Sequence, residues 1–192
     1  MKKKGFIQHH FWLKSGAGLT LIEILVVLFI MGFIATALYY VLNAGIEGWR
    51  AGKERTDIIA QARVAMDRLT REAREATYMV AADSTGINFS AYLGETSPKV
   101  ISYYYDSSED ILYRYNVTDG ILSEMAKYMD SFSLYYYSKG DDDAIHSFTP
   151  TTGEYNSIWM IEIETKLKRG ATGEENIVHL RSTVQPRNYP YD

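Results

Sequence analysis

SGAGLTLIEIL, residues 15–25, is the stretch that decides how this chain is read. It opens a long apolar run, yet it carries a carboxylate, Glu23, close to the start. From Leu19 to Leu42 the only other polar residues are Thr20 and Thr36, with Tyr39 and Tyr40 at the far end. About 20 apolar residues span a bilayer, so the run is long enough to cross one. An ionised side chain near the centre of such a helix costs about 2.5–3.5 kcal/mol, and less toward its ends. Glu23 therefore needs a partner, a headgroup or a proton.

Working outward, the upstream segment MKKKGFIQHHFWLKSGAG holds Lys2, Lys3, Lys4 and Lys14 and no acid. A basic segment before an apolar run has the look of an export signal. An ordinary signal peptide is cut after its apolar core, at small residues. Here the small cluster Ser15-Gly16-Ala17-Gly18 precedes the apolar run. The processing signal lies on the opposite side from that of ordinary export.

A short basic leader ending in Gly18, followed by Leu19, Thr20, Leu21, Ile22 and Glu23, resembles the prepilin motif of type IV pilins and type II secretion pseudopilins. The resemblance implies that a prepilin peptidase cuts between Gly18 and Leu19 on the cytoplasmic side. It implies that the new amino terminus on Leu19 is N-methylated and that Glu23 becomes the fifth mature residue. Leu19 stands where the family usually has Phe, a mild departure. In a filament, Glu23 of one chain would face the amine on Leu19 of another. An unpaired charge in a low-dielectric bundle is costly, so both groups favour the register that joins them.

The chain has 192 residues, no Cys and 46% hydrophobic residues, a normal globular content. Four segments follow from the motif: a leader over 1–18, a membrane half of the helix over 19–45, an amphipathic half over 46–78, and a head over 79–192. Charge is uneven among them: +4, −1 and +1 for residues 1–18, 19–46 and 47–78, then −8 for residues 79–192. An acidic head argues against phosphate-driven nucleic-acid binding. The lack of Cys neither requires nor excludes an oxidising compartment. The resemblance places the chain once through the inner (cytoplasmic) membrane, amino terminus cytoplasmic, head periplasmic or extracellular.

Beyond the span, Ile58, Ala62, Ala65, Leu69, Ala73 and Ala76 recur in steps of three and four and form one apolar stripe. Leu19 to Tyr78 holds no Pro, so a single helix is allowed, with Gly45, Gly48 and Gly52 as points of bending. The stripe is expected to pack on the head of its own chain. After Thr77 the period changes. Residues 100–105, 111–115 and 132–137 are aromatic and β-branched runs between turn-forming clusters, and they predict strands. Residues 158–168 alternate, placing Glu162, Glu164, Lys166 and Lys168 on a face read as solvated. A last strand is expected over 176–184. The class is α+β, a pilin-like long helix packed on one antiparallel sheet.

The helix end RVAMDRLTREAREAT, then Ile101-Ser102-Tyr103-Tyr104-Tyr105-Asp106 and Leu112-Tyr113-Arg114, resemble J-type minor pseudopilins, and W-type minor pilins share much of this. That resemblance implies a low-abundance subunit of a tip or initiation complex. Its partners would be I- and K-like minor subunits, the major subunit and the inner-membrane assembly platform. The missing Pro in the membrane half and the large head point the same way.

Catalytic or ligating constellations are thin. His146 and His179 stand alone, and His9 and His10 lie in the leader. Ser-His-Asp spacing, a P-loop and HExxH are all missing, which disfavours an anchored enzyme. Asp141-Asp142-Asp143 offers carboxylates to a hard cation but lacks the alternating loop of a calcium site, so a charged hairpin tip is the plainer reading. Asn116-Val117-Thr118 matches the N-glycosylation triplet, a common chance occurrence. The 16 Tyr read first as strand formers, and alternatively as an exposed patch for subunit contacts. No metal or cofactor is expected. A single-span anchored binding domain outside any filament is the alternative function.

Overall fold

The computed structural model describes residues 19–140, 142–168 and 178–187. The chain divides between Trp49 and Arg50 into two units. Helix α1 runs over Leu21–Arg74, and helical backbone continues through Gly45, Gly48 and Gly52. Within the first unit the apolar side chains are exposed, among them Leu21, Leu28, Phe29 and Phe33.

In the second unit the stripe is covered. Ile58, Ala62, Ala65, Leu69 and Ala73 are buried, joined by Met66 and Glu72. Burying each large aliphatic side chain contributes about 1.5–3 kcal/mol, enough to fix which helix face meets the sheets. The helix stops earlier than its sequence suggests. Glu75 N donates to Glu72 O in a closing turn, Arg74 O accepts from Arg187 N, and Ala76 already pairs with Ala91. Residues 76–78 are therefore strand, not helix. Alanine-rich propensity is a weak preference, and the cross-strand partner overrides it.

Two antiparallel sheets form where one was expected. The first is a five-stranded meander of β1 (Ala76–Ala82), β2 (Gly86–Ala91), β3 (Lys99–Asp106), β4 (Ile111–Asn116) and β5 (Ile121–Ala126), in that order. The second contains β6 (Met129–Lys139), β7 (Ile145–Phe148), β8 (Met160–Leu167) and β9 (Val178–Val184), ordered β7-β6-β8-β9. The chain changes sheet at Lys127-Tyr128. Tyr128 adopts a left-handed φ of 60° there, and so does Asp110 nearby at 59°. Met129 N donates to Asp110 O, Lys168 N donates to Tyr128 O, and Lys168 Nζ pairs with Asp110 at 2.7 Å. This clasp ties the two sheets together. Gly86 lies where a Cβ would meet Tyr103 O at 3.1 Å, so β2 and β3 approach more closely there than a side chain comfortably allows.

One core serves helix and sheets. It gathers Leu69, Ala65 and Met66 of α1 with Met79, Phe89, Ile101, Tyr103 and Leu112 of the first sheet, and with Phe132, Leu134, Ile161, Ile163 and Val184 of the second.

Candidate functional site

The residues singled out by sequence cluster at the start of α1. Gly18 lies outside the described residues. Leu19 is 70% exposed, and Thr20 precedes the first helical residue. Glu23 N donates to Thr20 Oγ1 at 3.3 Å and to Thr20 O at 3.0 Å, and Ile24 N reaches Thr20 O at 3.2 Å. Thr20 is thus the N-cap, satisfying a backbone donor that helix geometry leaves without a partner. Leu21, Ile22 and Glu23 form the first turn, which matches the Thr-x-x-Glu capping pattern. The Glu23 carboxylate is exposed and stands at the positive end of the helix dipole, where negative charge is favoured. Thr20 and Glu23 are thereby placed together by one turn of helix. Leu19 is adjacent to Thr20 in sequence.

The apolar surface that follows, Ile22 to Leu42, is exposed to solvent in the isolated chain. α1 is the helix long and apolar enough to cross a membrane among the described residues.

A second concentration of charge, which the sequence reading missed, lies at the other end of α1. Glu72 is buried, with Arg114 and Tyr103 buried beside it. Its Oε2 accepts from Arg114 Nε at 2.8 Å and from Tyr103 Oη at 2.8 Å. Its Oε1 accepts from Arg68 Nε at 2.9 Å. Burial alone would raise the Glu72 carboxyl, but the hydrogen bonds from Arg114, Arg68 and Tyr103 outweigh it and hold the group below its ordinary value. Burial, and then the Glu72 charge, push the Tyr103 phenol far up. The site is fully paired, so its chemistry is structural: it bolts the last turn of α1 to β3 and β4. A signal existed in the sequence, because Glu72 stands three residues beyond Leu69, on the apolar stripe.

On β8 the face read as solvated is partly closed. Glu162 is buried, held by Arg181 of β9 at 2.5 Å and by the Tyr137 hydroxyl at 3.0 Å. These hydrogen bonds, that from Arg181 foremost, lower its pKa. The remaining candidates are accounted for locally. His146 and His179 are exposed, 3.7 Å from Asp142 and 3.9 Å from Glu164 respectively. Asp141 lies outside the described residues. Asp142 accepts from Ala144 N, and Asp143 pairs with Lys139 at 2.6 Å, so these carboxylates brace a hairpin. Among the described residues no group of three His, Asp or Glu is placed to hold a metal ion. Asn116 bonds Asp119 at 2.7 Å, which gives the triplet a turn-forming role. Of the tyrosines, Tyr103 and Tyr136 are core, whereas Tyr78, Tyr104 and Tyr135 are exposed.

The capped, exposed start of α1 can be compared with known families. Residues 13–39 match the model of the prokaryotic N-terminal methylation motif. The match is confined to that segment, and no curated protein matches the chain. The motif is of the prepilin type and supports a pilin-like relationship, with the long helix and antiparallel sheets giving the α+β pilin-like architecture. It implies processing by a prepilin peptidase and assembly with other pilins. Together with one apolar helix near the amino terminus, it supports anchoring in a membrane.

Proposed function

We propose that this chain is a minor pilin or pseudopilin, a structural subunit of a type II secretion pseudopilus or a type IV pilus that acts in the tip or initiation complex. The observation that carries the proposal is the first turn of α1. Thr20 and Glu23 meet there, inside the matched motif, at the start of an apolar helix whose side chains are exposed. In this reading the leader 1–18 is removed between Gly18 and Leu19, and Leu19 is methylated. Residues 19–45 lie in the inner membrane with the head on the periplasmic or outer side. The amphipathic half begins near Ile46 and ends at Arg74. Glu23 pairs with the amine of a neighbouring subunit, which converts the cost of a charge near the end of the span, less than the about 2.5–3.5 kcal/mol of mid-membrane, into a preference for assembly. I- and K-like minor subunits, the major subunit and the assembly platform are the partners.

Intact-mass analysis of protein extracted from cells with an active prepilin peptidase tests the first step. The expected mass lacks residues 1–18 and carries one added methyl group; a full-length chain alone refutes processing. Glu23→Gln should then insert normally yet lose crosslinking to neighbouring subunits. Undiminished crosslinking would refute the pairing of Glu23 with a neighbour's amine. Its dominance along sheared filaments, by quantitative mass spectrometry, would contradict the minor role.

A further inference from the structure

A cavity of about 420 Å³ opens where the β1–β2 turn, strand β6 and the end of β7 come together. Its position follows from the strand edges. Leu134 N of β6 donates to Ser84 O of the turn, while Tyr136 pairs with Phe148 of β7. The same edge of β6 is thus covered by two different segments with a gap between them. The floor is rigid: the buried Tyr136 hydroxyl donates to Asp83 O at 2.9 Å. The size falls within the range of about 300–1,000 Å³ typical of small-molecule sites.

The lining has a distinctive chemistry. Residues 79–192 carry nine basic and 17 acidic side chains, yet among the described residues Asp83 is the single charged one in the cavity wall. Its Oδ1 accepts from Thr85 N at 2.7 Å, Thr85 Oγ1 at 3.0 Å and Gly86 N at 2.7 Å. Those bonds fix the carboxylate within the turn. Ser84, Ser133 and Thr149 add hydroxyls that both donate and accept. Tyr135, 45% exposed, and Phe148 supply aromatic surface. With a carboxylate and no cation in the wall, an anionic ligand is repelled. A neutral polyol with apolar C–H faces fits each feature: hydroxyl groups toward Asp83 and the serines, C–H faces on the ring of Tyr135.

We propose that this cavity binds a neutral glycan, one or two hexose or N-acetylhexosamine units at a time. The test uses the full chain in a zwitterionic detergent, since a maltoside would compete. Maltose, cellobiose and N,N′-diacetylchitobiose are titrated at millimolar concentrations and followed by saturation-transfer NMR, with glucose 6-phosphate as the anionic control. At least one neutral sugar should receive saturation while the phosphate does not. Tyr135→Ala should weaken binding about tenfold, and Tyr135→Trp should retain it. Tyr135 is half exposed on the strand, and an unchanged circular dichroism spectrum shows that both variants are folded. No transfer to any neutral sugar, equal binding of the phosphate, or binding indifferent to Tyr135→Ala would each overturn the proposal.

Discussion

The two halves of α1 share one backbone and differ in what covers them. Before Trp49 the large apolar side chains are exposed; Leu28 is 63% accessible. Beyond Arg50 the apolar stripe is buried, and Leu69 is 1% accessible. The amphipathic half meets its covering within the chain, so its fold stands on internal packing. The apolar half is exposed in the isolated chain and is suited to lipid or to other helices. Where the stripe narrows to one face, a head can satisfy it; where apolar residues surround the helix, only a surrounding solvent or bundle can.

Equivalent substitutions in the two halves should have opposite consequences. Leu69→Asp removes buried apolar surface and adds an unpaired buried charge, a combined loss of about 5 kcal/mol or more, comparable with the whole stability of about 5–15 kcal/mol of a domain. The head should unfold, seen as loss of the aromatic circular dichroism signal. Leu28→Asp should leave the head's melting temperature unchanged and instead reduce membrane insertion, at about 2.5–3.5 kcal/mol. A Leu69→Asp chain that melts like wild type would erase the distinction.

The next effect concerns the two glutamates that bracket α1. Glu72→Gln leaves Arg114 buried without a charged partner and should destabilise the head by about 3–5 kcal/mol. Glu23→Gln should not alter the head's denaturation midpoint at all. Acid sharpens the same contrast. Glu72 and Glu162 are both held below their ordinary value of 4.5. A carboxylate with a depressed folded pKa stabilises fully above its unfolded value and loses that contribution as pH falls through the folded one. The head should therefore weaken progressively below pH 4.5, and Glu72→Gln should flatten part of that slope in melting-temperature scans. The smallest effect is at the sheet change. Tyr128 holds a left-handed φ of 60°, which costs a non-glycine residue about 1–2 kcal/mol. Tyr128→Gly should stabilise the head by about 1 kcal/mol or less, since glycine also loses more entropy on folding.

The sequence shows much of this because period and composition act locally. The stripe from Ile58 to Ala73 predicts which helix face is buried, and strands β3, β4, β6, β8 and β9 follow from their aromatic and β-branched content. The missed strands have other origins. Ala76–Ala82 continues an alanine-rich helical composition without Gly or Pro to stop it, and Ile121–Ala126 (ILSEMA) is made of good helix formers. Both, like the equally unexpected β2 (Gly86–Ala91) and β7 (Ile145–Phe148), are strands because a neighbour offers a ladder, which is information held elsewhere in the chain. The division into two sheets turns on the two residues Lys127-Tyr128, too short a link to announce itself. Glu72 and Glu162 were hidden by the habit of assigning charge to water; their partners Arg114 and Arg181 are distant in sequence. At the start of α1 the site needed only contiguous residues, Thr20 and Glu23, and was legible for that reason.

The meander of the first sheet also bears on how the head comes into being. Each of β1 to β4 pairs with the strand that follows it, across the connections 83–85, 92–98, 107–110 and 117–120. Closing short loops costs little chain entropy, and low contact order favours rapid folding. The pairing of β6 with β8 must wait for the longer excursion through β7 and residues 149–159. As the polypeptide emerges behind its anchor, the first sheet can zip strand by strand onto the amphipathic helix before the second sheet's strands exist. The two-residue sheet change at Lys127-Tyr128 is then the seam between an early and a late folding event.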